Sequence, residues 1–335
     1  MKGKQGLVCM GLLLVLSSCH TGKQITASGL QRKDFQTEVN GQHTDLFTLS
    51  NKQGMEVCIT NYGARVVSIL VPDRNGKRED VVCGFSTITE YMEQRQNFGS
   101  TVGRYIGRIL NARFTLDGVE YKLVPNNGKS GHISHGGNPG FADRIWKVEQ
   151  ADTHRVRLSY LSPDGENGFP GNLKVTLVYS LGEDDNALDL TYEATTDAPT
   201  VLNLSHHSFF NISGNFTKSV EDQQLWVDAD RFTPYDDKKC VTGEYLPVAG
   251  TPLDFRMPHT IGECIDADHP QLKVVNGYDH TWELNTKGDD TRPAAWVYDP
   301  ASGRKMEIFT TEPGMQIYTG NGLKGKMTGK GGIAY

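Results

Sequence analysis

The sequence predicts an all-β protein, either a β-sandwich or a β-barrel, with very little helix. Short segments that alternate between polar and apolar residues recur from residue 45 to the end, and turn residues separate them. Glycine is abundant, with 37 in 335 residues, as a protein with many tight turns requires. No Pro/Ser-rich linker divides residues 45–335. One continuous β domain is therefore expected.

Individual strands follow from the same alternation. Residues 113–116 and 119–123 meet at Asp117-Gly118, which is a strong hairpin signal. Residues 155–161, 173–180 and 187–195 alternate around turn-forming residues and predict a meander. Residues 294–298 and 305–310 flank a further turn. Only residues 87–96 have a helical pattern, of two or three turns.

The amino terminus has the pattern of an export signal. Lys2 and Lys4 precede an apolar run over residues 7–16, which is shorter than the roughly 20 residues of a membrane-spanning helix. LSSC at residues 16–19 resembles a bacterial lipobox, with a signal peptide over 1–18 and lipid on Cys19. A plain cleaved signal is the alternative. Residues 19–40 are then expected to form a polar tether, and the protein to be exported and periplasmic or anchored to the outer membrane by lipid.

Charge and cysteine usage narrow the class of partner. The net charge is −6, and no basic run offers a nucleic-acid footprint. Cysteines 58, 83, 240 and 264 lack the spacing of a zinc site. This surface suits a neutral small-molecule ligand, and no nucleic-acid partner is expected. We expect membrane contact only through a lipid anchor, and a monomer by default.

Two histidine clusters are the first candidates for proton transfer, because the ordinary pKa of histidine lies nearest neutrality. The first is HISHGG at residues 132–137, in a loop rich in glycine. The second is NLSHHSFFN at residues 203–211, which alternates like a strand. Adjacent strand residues face opposite ways, so only one of His206 and His207 can face a given pocket. The spacing does not say which.

Six motifs resemble the aldose 1-epimerase (galactose mutarotase) family in order and span most of residues 45–325. They are GRYIGRI at 103–109, HISHGG at 132–137, DGENGFPG at 164–171, NLSHHSFFN at 203–211, TPLDFR at 251–256 and EPGMQIYTGN at 312–321. The resemblance implies a large antiparallel β-sandwich, the galactose mutarotase-like supersandwich, over residues 41–335. It also implies an isomerase that interconverts the α and β anomers of aldohexoses such as glucose and galactose.

The resemblance also assigns residues. His207 matches the catalytic acid, while Arg108, His135, Asp254 and Gln316 match residues that bind the sugar. Opening a cyclic hemiacetal needs a base at the C1 hydroxyl and an acid at the ring oxygen, and no electron sink, so no cofactor is required. No catalytic metal is expected, although surface carboxylates could hold a structural Ca²⁺.

Three departures from the family pattern qualify this assignment. Gly107 and His206 stand where relatives commonly have Asn. The family's general base, a glutamate, falls beyond Tyr335, so the resemblance predicts missing C-terminal strands and little activity in the 335-residue chain itself. The alternative function is a non-catalytic carbohydrate-binding lipoprotein of the same fold.

A third hypothesis makes the histidines metal ligands. His132, His135 and either His206 or His207 could in principle converge on one ion. The spacing fixes no further ligand.

Overall fold

The computed structural model describes residues 24–335, so the predicted signal peptide and the lipidation of Cys19 lie outside the described residues. These residues form mostly short strands, which are numbered here in chain order. The strands up to residue 151 are β1 Glu38–Val39, β2 Gln42–His43, β3 Leu46–Ser50, β4 Glu56–Thr60, β5 Arg65–Pro72, β6 Arg78–Asp80, β7 Thr101–Val102, β8 Arg108–Ile109, β9 Arg113–Leu116, β10 Val119–Lys122, β11 Ile133–Ser134 and β12 Lys147–Ala151. The remaining strands are β13 Arg155–Ser162, β14 Leu173–Leu181, β15 Leu188–Thr196, β16 Ser205–His206, β17 Gln224–Val227, β18 Arg231–Thr233, β19 Leu246–Pro247, β20 His259–Thr260, β21 Asp279–Glu283, β22 Ala295–Tyr298, β23 Lys305–Ile308 and β24 Gly314–Tyr318. The α-helices are α1 Ile88–Gln94 and α2 Pro270–Val275.

The first half of the fold is a sandwich of two four-stranded antiparallel sheets. One sheet has the order β3-β4-β5-β6 and the other β12-β13-β14-β15. Val57 and Ile69 on the first sheet pack with Leu158 and Leu177 on the second in one buried cluster. The predicted meander and the β9–β10 hairpin are both present with continuous register.

A second sandwich follows in the chain. Its sheets have the orders β20-β17-β22-β23 and β19-β18-β21-β24. Val227 and Ala295 from one sheet meet Phe232 and Trp282 from the other in a separate buried cluster. Arg304 joins the two halves, because its guanidinium donates to the carbonyls of Ile212, Ser213 and Lys77. The all-β fold class is confirmed, with two sandwich cores in the described chain.

The predicted helix at residues 87–96 is confirmed as α1. Thr87 caps it, since its Oγ1 accepts from the Glu90 N–H while the Glu90 carboxylate accepts from the Thr87 N–H. The six residues of α2 were not predicted, because a single turn and a half gives too short a pattern to recognise.

The predicted tether over residues 19–40 is wrong for its described part. Leu30 and Phe35 are buried in a cluster with Tyr62. Arg32 holds the segment to the sheet by bonds of 2.7 and 2.5 Å to the Asp45 carboxylate. The polar composition concealed these two apolar anchors. Among residues 24–335, no helix is long and apolar enough to cross a membrane.

Candidate active site

Two short strand pairs bring His135 and His207 together. The β7–β16 pair places His206 opposite Thr101, and the β8–β11 pair places Ser134 opposite Arg108. The backbone then fixes both imidazoles: the His207 N–H donates to the Ser100 carbonyl at 2.9 Å, and the His135 N–H donates to the Gly107 carbonyl at 2.9 Å. The two rings lie edge to face, with centroids 5.4 Å apart.

Strand alternation separates the adjacent histidines. His206 turns toward β14, where its Nε2 lies 2.6 Å from the Ser208 hydroxyl and its Nδ1 3.5 Å from the Tyr179 hydroxyl. His207 faces His135 instead and stacks on Phe209, with ring centroids 5.2 Å apart. The structure thereby resolves which of the two histidines belongs to the cluster with His135.

A second group of polar side chains lies beside the histidines. Gln316 Nε2 donates to Asp279 Oδ1 at 2.6 Å and to the Tyr235 hydroxyl at 3.3 Å. Asp279 and Gln316 are diagonal neighbours across the β21–β24 pair, which places them on one face of the sheet. The ring of Tyr318, directly opposite Asp279, contacts Phe209 at 5.6 Å between centroids. That contact joins the second sandwich to His207.

Arg108 links the two groups. Its Nη1 donates to the Lys239 carbonyl at 2.9 Å. Its positive charge adds to the lowering of the His135 pKa by burial, and it partly offsets the raising of the Asp279 pKa by burial. Arg108, His135, His207 and Gln316 therefore lie near one another, and their roles in binding and catalysis stay predictions.

Burial controls the protonation of this cluster. It lowers the pKa of His135 to about 3, with further lowering by the charges of His207 and Arg108. The pKa of His207 is also lowered, mainly by burial. Burial raises the pKa of Asp279, against the hydrogen bond from Gln316. At neutral pH the His135 imidazole is consequently neutral, with one N–H and one acceptor nitrogen, and the imidazolium of His207 is the minor form.

The structure does not bring Asp254 into this cluster, which corrects the predicted sugar contact. The Asp254 carboxylate accepts two bonds of 2.8 Å from Arg256. Its segment runs beside β17, since the Val227 N–H donates to the Phe255 carbonyl. Asp279 and Gln316 belong to the facing sheet.

Asp279 is the carboxylate that the sequence interpretation missed. It begins β21, and its position becomes meaningful only through the pairing of β21 with β24, far along the chain. A Tyr-Asp-His triplet at the start of a strand carries no local mark of function. The Gln316 motif was the available signal, because an amide that binds a ligand needs a partner to fix its orientation.

The histidine-metal hypothesis has no site in the structure. His132 is buried, and its Nδ1 accepts from the Asn111 N–H at 3.0 Å. Across residues 24–335, no group of three or more His, Cys, Asp or Glu side chains is arranged to hold a metal ion.

The fold and the site define an all-β protein with a polar, partly buried cluster of side chains suited to a hydroxylated ligand and to proton transfer. Residues 45–335 match the family described as aldose 1-epimerase. Galactose mutarotase of Bos taurus is 40% identical over 290 residues, covering 86% of this chain and 81% of the relative. Aldose 1-epimerase of Escherichia coli is 36% identical over 286 residues, covering 85% and 81%.

Solved structures agree with this similarity. The galactose 1-epimerase from Lactobacillus acidophilus NCFM superimposes with a TM-score of 0.76 at 30% identity, covering 87% of this chain and 83% of that one. An aldose epimerase homologue from C. elegans gives 0.78 at 30% identity, covering 87% and 86%. This chain belongs to the aldose 1-epimerase family, a family of isomerases.

Proposed function

We propose that this protein interconverts the α and β anomers of aldohexoses such as glucose and galactose. The observation that carries the proposal is the edge-to-face pair of His135 and His207, flanked by Arg108 and by the Gln316–Asp279 hydrogen bond. This cluster combines a proton donor with directional donors and acceptors for sugar hydroxyls.

The proposed chemistry is acid/base ring opening. A base removes the proton from the C1 hydroxyl while His207 protonates the ring oxygen, which breaks the C1–O bond and leaves an open-chain aldehyde. Rotation about C1–C2 exposes the other face of the carbonyl. Ring closure then returns both protons, so the enzyme ends in its starting state and no redox change occurs.

Burial suits His207 to this role. A lowered pKa makes its imidazolium, which is the minor form at neutral pH, a stronger acid, and this favours transfer of the proton to a weakly basic ether oxygen. The rings of His135 and Phe209 on either side limit the positions that the His207 imidazole can adopt. The proton is therefore delivered from a defined direction.

The remaining side chains are proposed to bind the sugar. Arg108 and His135 offer N–H donors, and the Asp279 carboxylate accepts from hydroxyls. Because Gln316 Nε2 donates to Asp279 and Tyr235, the amide can offer its Oε1 to a sugar hydroxyl. Asp279 is tied to Gln316, so we assign it to binding. Following the family resemblance, we propose a glutamate beyond Tyr335 as the base.

Polarimetry tests the function. Freshly dissolved α-D-glucose or α-D-galactose is followed with protein expressed from its entire reading frame, and binding of the same sugars is measured by calorimetry. Accelerated change of rotation is the expected result. Binding without acceleration would favour the non-catalytic carbohydrate-binding alternative. If the sugars neither bind nor change rotation faster, both the epimerase function and the binding function are refuted.

Export and lipid anchoring at Cys19 also stay proposals, tested by metabolic labelling with palmitate.

A further inference from the structure

The loop that carries His135 has an unusual backbone. His135 itself has a φ of 53°, in the left-handed region that favours glycine, and it is followed by Gly136 and Gly137 at 79° and 104°. A non-glycine residue keeps such a conformation only where its surroundings hold it. The His135 Nδ1 accepts from the Gly107 N–H at 3.3 Å, and the position of the imidazole also depends on whatever fixes this turn.

A side chain from a different loop spans the turn. Asn167 Nδ2 donates two hydrogen bonds of 2.9 Å, one to the Gly136 carbonyl and one to the Pro139 carbonyl. The contact is close, because a Cβ added to Gly137 would lie only 2.4 Å from Asn167 Cγ. Both amide hydrogens of Asn167 are thus used on the turn that begins directly after His135.

The loop that supplies Asn167 is itself firmly anchored at the end of β13. Its neighbour Glu166 accepts bonds of 2.6 Å from both Arg144 and the Tyr160 hydroxyl, and also accepts from the Ser162 hydroxyl. The Val124 N–H donates to the Asn167 carbonyl at 3.0 Å. Asn167 accordingly acts from a fixed support.

We propose that Asn167 is a positioning residue for the sugar site: its amide holds the turn at residues 136–139 so that the His135 imidazole stays edge-on to His207. Asn167 acts through His135 and does not touch the sugar. The proposal rests on the proposed function in one respect, the role of His135 in binding sugar. It accounts for the DGENGFPG motif, to which the reaction itself assigns no role.

Two substitutions separate the amide from the backbone. Asn167 has a φ of 51°, so Asn167→Gly removes the side chain while keeping a conformation that glycine adopts readily. Asn167→Asp keeps the shape, but a carboxylate has no hydrogens to donate and faces two carbonyl oxygens. The aspartate variant is therefore expected to have the larger effect.

Asn51 offers a matched control. Its Nδ2 also donates two bonds to a turn, at 2.6 Å to the Asp185 carbonyl and 3.0 Å to Asn186 Oδ1. That turn follows β14, whereas the Asn167 loop precedes it, so a strand of nine residues, about 30 Å long, separates the two sites. Asn51→Asp makes the same chemical change away from the histidines.

Two measurements read out the positioning. First, the KM for galactose is expected to rise about five- to fiftyfold in Asn167→Asp, with a smaller change in kcat, since the loss of two hydrogen bonds loosens a binding group. Second, ¹⁵N-histidine NMR follows the titration of His135. Its pKa, lowered by burial and by His207 and Arg108, is expected to rise in both Asn167 variants as the ring gains access to water.

Unchanged KM and unchanged His135 titration in folded Asn167 variants would overturn the proposal, as would an equal effect of Asn51→Asp. If the protein proves inactive in polarimetry, the proposed function fails by itself. The NMR titration then still decides the positioning role, because it requires no turnover. Thermal unfolding of each variant shows that the comparison is between folded proteins.

Discussion

Substituting Asp279 by Asn removes the charge of the carboxylate at the site while preserving its shape. An Asn oxygen can still accept the 2.6 Å bond from Gln316 Nε2, so the local structure is retained. A hydrogen bond to a charged group contributes about 1.5–3 kcal/mol. If one sugar hydroxyl donates to Asp279, kcat/KM should fall by about 10- to 150-fold.

Asp254→Asn is the matched control, because the two aspartates are alternative candidates for the same role. Asp254 is held by Arg256 beside the opposite sheet, so its substitution should leave kcat/KM within about twofold of wild type. Polarimetric rates at several sugar concentrations give both values. A large loss in Asp254→Asn with little loss in Asp279→Asn would refute the reasoning from the structure and restore the assignment from the motif.

Two further predictions concern stability. His280 is fully buried, and burial lowers its pKa to about 4. The unfolded chain therefore takes up this proton first, and His280 by itself should account for about 2 kcal/mol of the stability lost between pH 7 and pH 5. Urea unfolding at the two pH values measures the loss; His280→Asn should reduce it, and an identical loss in that variant would contradict the assignment. Arg104 is 1% exposed and donates to the Ser162 hydroxyl and to the Pro163 and Pro170 carbonyls. Arg104→Lys should lower the free energy of unfolding by about 2–4 kcal/mol, because an ammonium cannot reach all of these acceptors. An unchanged urea midpoint would show that these bonds contribute little.

Local pattern was sufficient for much of the fold. The Asp117-Gly118 turn, the meander of β13 to β15 and the capped helix α1 each depend on neighbouring residues, and each is present as predicted. Residues 24–40 show the limit of composition as a guide. Leu30 and Phe35 are isolated apolar residues in a polar segment, and only the surface they cover shows that they are anchors.

In the candidate site, too, local sequence predicts some features and only tertiary packing shows the others. Strand alternation predicts that His206 and His207 face opposite ways, but only tertiary packing against Tyr179 and His135 shows which faces which environment. The TPLDFR motif points to Asp254 as the sugar-binding carboxylate, whereas the aspartate that contacts Gln316 is Asp279. Partnership between distant strands is a property of the folded sheet, and no single segment contains it.

The proposed role of His207 is to deliver the proton to the ring oxygen. Its most direct test is the mutarotation rate of α-D-galactose with wild type, His207→Ala and His206→Asn, each expressed from the entire reading frame. His206 is the control because it adjoins His207 and points away from His135. We expect His207→Ala to lose most of the enzymatic rate, about a hundredfold or more, and His206→Asn to retain most of it. Equal rates for wild type and His207→Ala would contradict it.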